Sequence, residues 1–170
     1  ETDTIVVYDT VGLFSAARVW WTFRVMGARE VFVLDGGLPA WRDAGQPIES
    51  GPARPTPTRF AASLDASAVA DVPTVMAALT GDAQVVDARP AARFRGELPE
   101  PRSGLRSGHM PGALNVPSTA LVQNGRLVAA EKIAQAFAAG GVDLTKPIIT
   151  SCGSGVTAAT LWFALEAIGK

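Results

Sequence analysis

The chain has 170 residues, 48% of them hydrophobic, and its 15 basic and 16 acidic side chains leave a formal charge of −1. A charge this balanced makes no electrostatic case for nucleic acid or an anionic membrane surface, so neither is expected as a partner. With one Cys and one His, neither an internal disulfide nor a structural zinc site of about four N or S ligands can be built, so no metal or cofactor is expected.

The N-terminus ETDTIVVYDT is acidic and lacks the basic start of a signal peptide, and no apolar run is long enough to span a bilayer. A lone cysteine suits a reducing compartment, and the expected location is cytoplasmic. TIVVY (4–8) is short, β-branched and apolar, the pattern of a buried strand. LFSAARVWWTFRVMG places apolar residues at helical spacing, with Gly27 as a C-terminal stop. EVFVL reads as a second strand, and LPAWRDAG as a short helix ending at Gly45. Strand, helix, strand, helix implies a parallel α/β sheet.

GQPIESGPARPTPTRF has no periodicity and is rich in Pro, Gly and Thr, as expected of an extended linker. The pattern then resumes with a helix over DVPTVMAALTG, N-capped by Asp71, and a strand over AQVVDA. RPAARFRGELPEPRSGLRSGHMPGA is a long polar loop of the kind that often carries function. A short strand (ALNVP), a helix (AEKIAQAFAAGG), a strand (PIITS) and a helix (GVTAATLWFALEAIG) complete the chain.

The two ends repeat each other. IVVYDTVGLFSAARVWWTFRVMG and IITSCGSGVTAATLWFALEAIG share strand, glycine loop and helix, with Trp20 matching Trp162. Allowing one residue of difference in the loop, Asp9 falls where Cys152 falls, which suggests a duplicated unit with one reactive copy. The expected division is the C-terminal half of a silent domain at 1–50, a linker at 51–66 and a reactive domain, short of its last strand and helix, at 67–170.

Cys152 sits between a strand and a helix, at the sheet edge where α/β folds bind ligands. The following Gly-Ser-Gly lets amides curl inward, and the helix adds the positive end of its dipole. Both favour thiolate, the nucleophilic form, and would also stabilise a persulfide. An ordinary buried cysteine is the plain alternative. Cysteinyl-phosphate chemistry needs a guanidinium closing the loop, and CGSGVTA contains none. The four tryptophans read as packing rather than as a ligand cage.

These residues resemble the rhodanese superfamily and, within it, the two-domain sulfurtransferases. CGSGVTA is similar to the active loop of the 3-mercaptopyruvate type, whereas thiosulfate-preferring members tend to carry basic residues there. VVDARPAARFRGELPEPRSGLRSGHMPGALNVP is similar to the family's substrate-side loop and its GH-x-PGA-x-N turn, and FSAARVWWTFRVMGAREVFVLDGGLPAWRDAG to the end of its silent first domain. The implied fold is α/β: a rhodanese-like parallel sheet flanked by helices, duplicated in tandem and incomplete at both ends.

The resemblance implies a sulfurtransferase in which Cys152 carries sulfur from 3-mercaptopyruvate to a thiol, such as a thioredoxin or a small thiol, or to cyanide. The alternatives are a thiosulfate sulfurtransferase and a non-catalytic rhodanese-like binding module. Arg93 and Arg102 would hold the donor's carboxylate, for which a guanidinium fork is suited. Arg95 is secondary. Ser154 would assist proton transfer, and the amides of Gly153, Ser154, Gly155, Val156 and Thr157 would form an anion cradle. His109 is expected in a structural turn, and Asp87 is expected to anchor the loop. Roughly the first half of the family's first domain, and the final strand and helix of its second, are not seen in this sequence, so the chain reads as an internal fragment. One expectation is that Glu30 to Gly45 stands in for the missing terminal strand and helix.

Overall fold

Short β-branched runs become parallel strands joined by helical crossovers. In the computed structural model, which describes residues 3–170, β1 (Ile5–Val7) pairs in parallel with β2 (Val31–Val33), with Ile5 opposite Val31. Helix α1 (Ala16–Val25) makes the crossover that a parallel pair requires. Its buried Trp20 donates from Nε1 to the carbonyl of Val31 at 3.1 Å, tying helix to strand. Helix α2 (Gly37–Asp43) follows.

A second sheet has β3 (Gln84–Asp87) at its centre, β4 (Leu114–Asn115) on one side and β7 (Ile148–Ser151) on the other, all parallel. Val85 and Val86 are fully buried, as expected for a strand covered on both faces. Helix α3 (Val72–Ala78) starts at Asp71, whose carboxylate accepts the Thr74 N–H at 2.9 Å. The long polar loop contains one short helix, α4 (Ala91–Phe94). Helix α5 (Ala130–Ala139) packs Ile133 and Phe137 into the main core beside Leu121 and Leu161.

Helix α6 (Val156–Ala167) is apolar around most of its circumference, the mark of a helix buried on more than one side. Leu161, Ala164 and Leu165 face the second unit's core. Phe163 and Trp162 face α1, meeting Trp20 and Trp21 edge-to-face at 5.0 and 5.9 Å. The two helices paired by sequence similarity are thus packed on each other. Trp20, Trp21 and Trp162 are interface residues, as their packing role predicts.

Three findings differ from or refine the expectations. First, β2 pairs with β1 alone, in a separate two-stranded sheet, so EVFVL does not stand in for a strand beside β7. The single-helix crossover makes β1 the nearest parallel partner. Second, β5 (Val122–Gln123) and β6 (Arg126–Leu127) form an antiparallel hairpin that was not expected. Its turn residues Asn124 and Gly125 have φ of 52° and 73°, the type I′ geometry for which Asn-Gly is the usual signal. Third, the 51–66 segment is exposed but its end is pinned. Ser63 and Asp65 donate to the carbonyls of Met26 and Val25 at 2.9 and 2.8 Å, satisfying the open end of α1.

Candidate active site

The strands of the second sheet end level with one another. Asp87 lies opposite Asn115 on one side and Ser151 on the other, so the segments after β3, β4 and β7 emerge at one edge. Cys152 is the first residue beyond β7 and is partly buried. The chain then turns through Gly155, at φ 79°, directly into α6. The turn brings the Gly155 N–H to 3.0 Å from Cys152 Sγ.

Burial pushes the Cys152 thiol up, but donors around the sulfur outweigh it. The Thr157 hydroxyl and the amides of Ala158, Ser154 and Gly155 hold the thiol below its ordinary 9.0. The donors on the sulfur itself are a mixed set. Thr157 contributes its hydroxyl, and Ala158 joins the amide donors. Ser154 and Gly153 are exposed on the open side of the loop, and Val156 opens α6.

The first unit shows the same design filled by its own side chain. The Asp9 carboxylate accepts backbone N–H groups from Val11, Phe14, Ser15 and Ala16 at 2.7 to 3.1 Å. Burial raises its carboxyl, but these amides bring it below the ordinary 3.8. A ring of amides at the start of α1 thus holds a negative charge, as the corresponding ring at α6 holds sulfur.

The long loop brings Arg93 to the cysteine loop. Arg93 Nη2 lies 3.3 Å from where a Cβ on Gly153 would sit. Its fork is engaged by Glu100, at 2.5 and 3.1 Å. Arg102 is exposed and, among the described residues, makes no hydrogen bond or ion pair. Arg95 pairs with Glu97 on the surface. His109 stacks on Phe94 at 3.8 Å and its Nδ1 lies 2.7 Å from the Phe94 carbonyl oxygen, an arrangement that closes a turn.

Two arginines escape the sequence reading. Arg89 grips Asp87 through both carboxylate oxygens, and also donates to Glu100 and to the Gly108 carbonyl at 2.8 Å each. Asp87, Arg89, Glu100 and Arg93 form one chain of ion pairs that fastens the loop to the end of β3. Asp87 is thus the loop anchor that was expected. The Asp-Ala-Arg spacing at a strand end is the signal that could have disclosed Arg89. The other is Arg18, from α1, which lies over the Trp21 ring at 4.5 Å and donates to the Gly155 carbonyl at 3.3 Å. Only the packing of α1 on α6 brings it there. A cleft of about 620 Å³ runs along β7 from Val69 and Ile149 to Cys152, with Arg18, Trp21 and Trp162 on its walls.

Comparison with known proteins agrees with this geometry. The chain is 46% identical over 165 residues to a 3-mercaptopyruvate sulfurtransferase of Escherichia coli (strain K12), covering 96% of this chain and 59% of that protein. It is 42% identical over 170 residues to a thiosulfate sulfurtransferase of Gallus gallus, covering 98% of this chain and 58% of that one. The crystal structure of SseA from Escherichia coli superposes with a TM-score of 0.88 at 43% identity, covering 98% of this chain and 62% of that one. The chain therefore spans less than two thirds of the length of these relatives. The rhodanese-like domain model matches residues 1–44 and 72–170, and the chain belongs to that family.

Proposed function

We propose that this chain carries the sulfur-transfer site of a 3-mercaptopyruvate sulfurtransferase. The observation that carries the reading is Cys152, its Sγ facing the Thr157 hydroxyl and the amides of Ala158, Ser154 and Gly155 in a loop without a basic side chain. Such a cradle favours a thiolate, and equally a persulfide whose outer sulfur is charged. The names of the 46% and 42% identical relatives support the reaction class, and the neutral loop favours the mercaptopyruvate donor.

The Cys152 thiolate attacks the sulfur of 3-mercaptopyruvate. An S–S bond forms, the C–S bond breaks, and its electron pair leaves as the enolate of pyruvate, which takes up a proton. We assign the passage of that proton to Ser154, which is exposed on the loop. Arg93 and Arg102 hold the donor carboxylate, Arg93 by sharing its fork with Glu100. An acceptor thiolate, on thioredoxin or a small thiol, then takes the outer sulfur and restores the Cys152 thiolate; cyanide leaves as thiocyanate. We read the two strand-loop-helix units as copies of one duplicated module, with Asp9 in the silent copy. We place the activity in the cytoplasm, where a lone thiol stays reduced.

Incubation with 3-mercaptopyruvate followed by mass spectrometry tests the mechanism. One added sulfur on the Cys152 peptide, lost on adding thiol, is expected, and Cys152→Ser abolishes transfer. Arg102→Ala raises KM about tenfold with kcat little changed, the loss of one carboxylate contact. Absence of added sulfur supports a non-catalytic module, and faster turnover of thiosulfate makes thiosulfate the donor.

A further inference from the structure

We propose that Arg18 is a positioning residue for Cys152: reaching across from the first unit, it fixes the Gly155–Val156 peptide and supplies the positive charge that the cysteine loop lacks. Gly155 is held from both sides. Its N–H donates to Cys152 Sγ at 3.0 Å, and its carbonyl accepts from Arg18 Nη1 at 3.3 Å. Binding a cation at that carbonyl polarises the peptide and strengthens the Val156 N–H as a donor at the first turn of α6. Gly155 has φ 79°, a conformation that favours glycine, and a Cβ there would push Arg18 Nη1 aside.

Other charged groups face the loop and its cleft. From the 89–113 segment come Arg93 and Glu100, paired with each other. Lys146 and Lys170 line the same cleft. Arg18 forms no ion pair among the described residues; besides its bond to the Gly155 carbonyl it rests on Trp21, beneath it at 4.5 Å. Its positive charge is therefore available to a thiolate or to the outer sulfur of a persulfide. The inference rests on the sulfur-transfer reading only for its consequence on turnover; the effect on the thiol stands by itself.

The test follows alkylation of Cys152 by iodoacetamide against pH in the intact chain, with no sulfur donor present. Arg18→Gln is expected to raise the alkylation midpoint by about 0.5–1 pH unit and slow alkylation at neutral pH about three- to tenfold. Arg18→Lys keeps the charge and recovers at least half of the shift. Arg18→Met keeps the apolar stem over Trp21 and answers the same question if Arg18→Gln does not fold, as judged by circular dichroism. A folded Arg18→Gln or Arg18→Met protein that keeps the wild-type midpoint overturns the proposal. If the wild type takes no sulfur from any donor, the sulfur-transfer reading fails while a raised midpoint still supports Arg18. If the wild type takes sulfur and the midpoint does not move, only the role of Arg18 fails.

Discussion

Asp9 and Cys152 occupy equivalent places at the start of two helices, and the difference between them is chemical rather than architectural. The four amides on the Asp9 carboxylate form charge-assisted hydrogen bonds within the chain itself. Asp9→Ala leaves those donors without their acceptor and should lower stability by about 1–2 kcal/mol at neutral pH. The carboxyl sits lower in the fold than its ordinary 3.8, so the ionised form is the one the fold favours. Its contribution is complete above that value and is lost as pH falls through the lower, folded pKa. The gap in Tm between wild type and Asp9→Ala should therefore be widest at neutral pH and narrow below pH 3.8. A gap that stays constant into acid would show that the carboxylate charge is not what the amides hold.

At the scale of elements, the strands were legible and their partners were not. IVV, QVVD and IITS are short runs of mostly apolar or β-branched residues, and each is a strand. The longer helices were equally plain, down to the Asp71 cap, whereas the four residues of α4 were read as loop. The placement of β2 failed because periodicity reports which face is buried and says nothing of which edge a strand will join. The β5–β6 hairpin escaped because its strands have two residues each, too few for alternation to register. Its turn is nonetheless exacting. Gly125 has φ 73°, and a Cβ there would meet Gly12 Cα at 3.0 Å and the Val11 carbonyl at 3.1 Å. Gly125→Ala should cost about 1–2 kcal/mol from backbone strain and this contact together. A urea midpoint equal to wild type would mean the two loops separate freely.

For the molecule as a whole, the site is shared between units far apart in sequence. Cys152, the glycine loop and the long arginine loop could be recognised from local pattern, but Glu100 as the bridge between Arg89 and Arg93 could not. Nor could Arg18, which lies 137 positions from its partner Gly155. Such contacts depend on how α1 docks on α6, and no local signal encodes that. Docking through Trp20 and Phe163, edge-to-face at 5.0 Å, should make the two units unfold together. A double-mutant cycle of Trp20→Leu and Phe163→Leu should give a coupling of about 0.5–1.5 kcal/mol in urea unfolding. Strictly additive losses would show two units that merely touch.

The same docking gives the protein an optical handle. Trp21 and Trp162 line the cleft that ends at Cys152, and Trp20 lies just behind them in the joint. Trp41, by contrast, donates to the Pro47 carbonyl on the α2 side. Three of the four indoles thus stand at or next to the cleft wall. A sulfur atom or an alkyl group arriving at Cys152 changes the surroundings of emitters already in place, so occupancy of the thiol can be followed by intrinsic fluorescence, without a label.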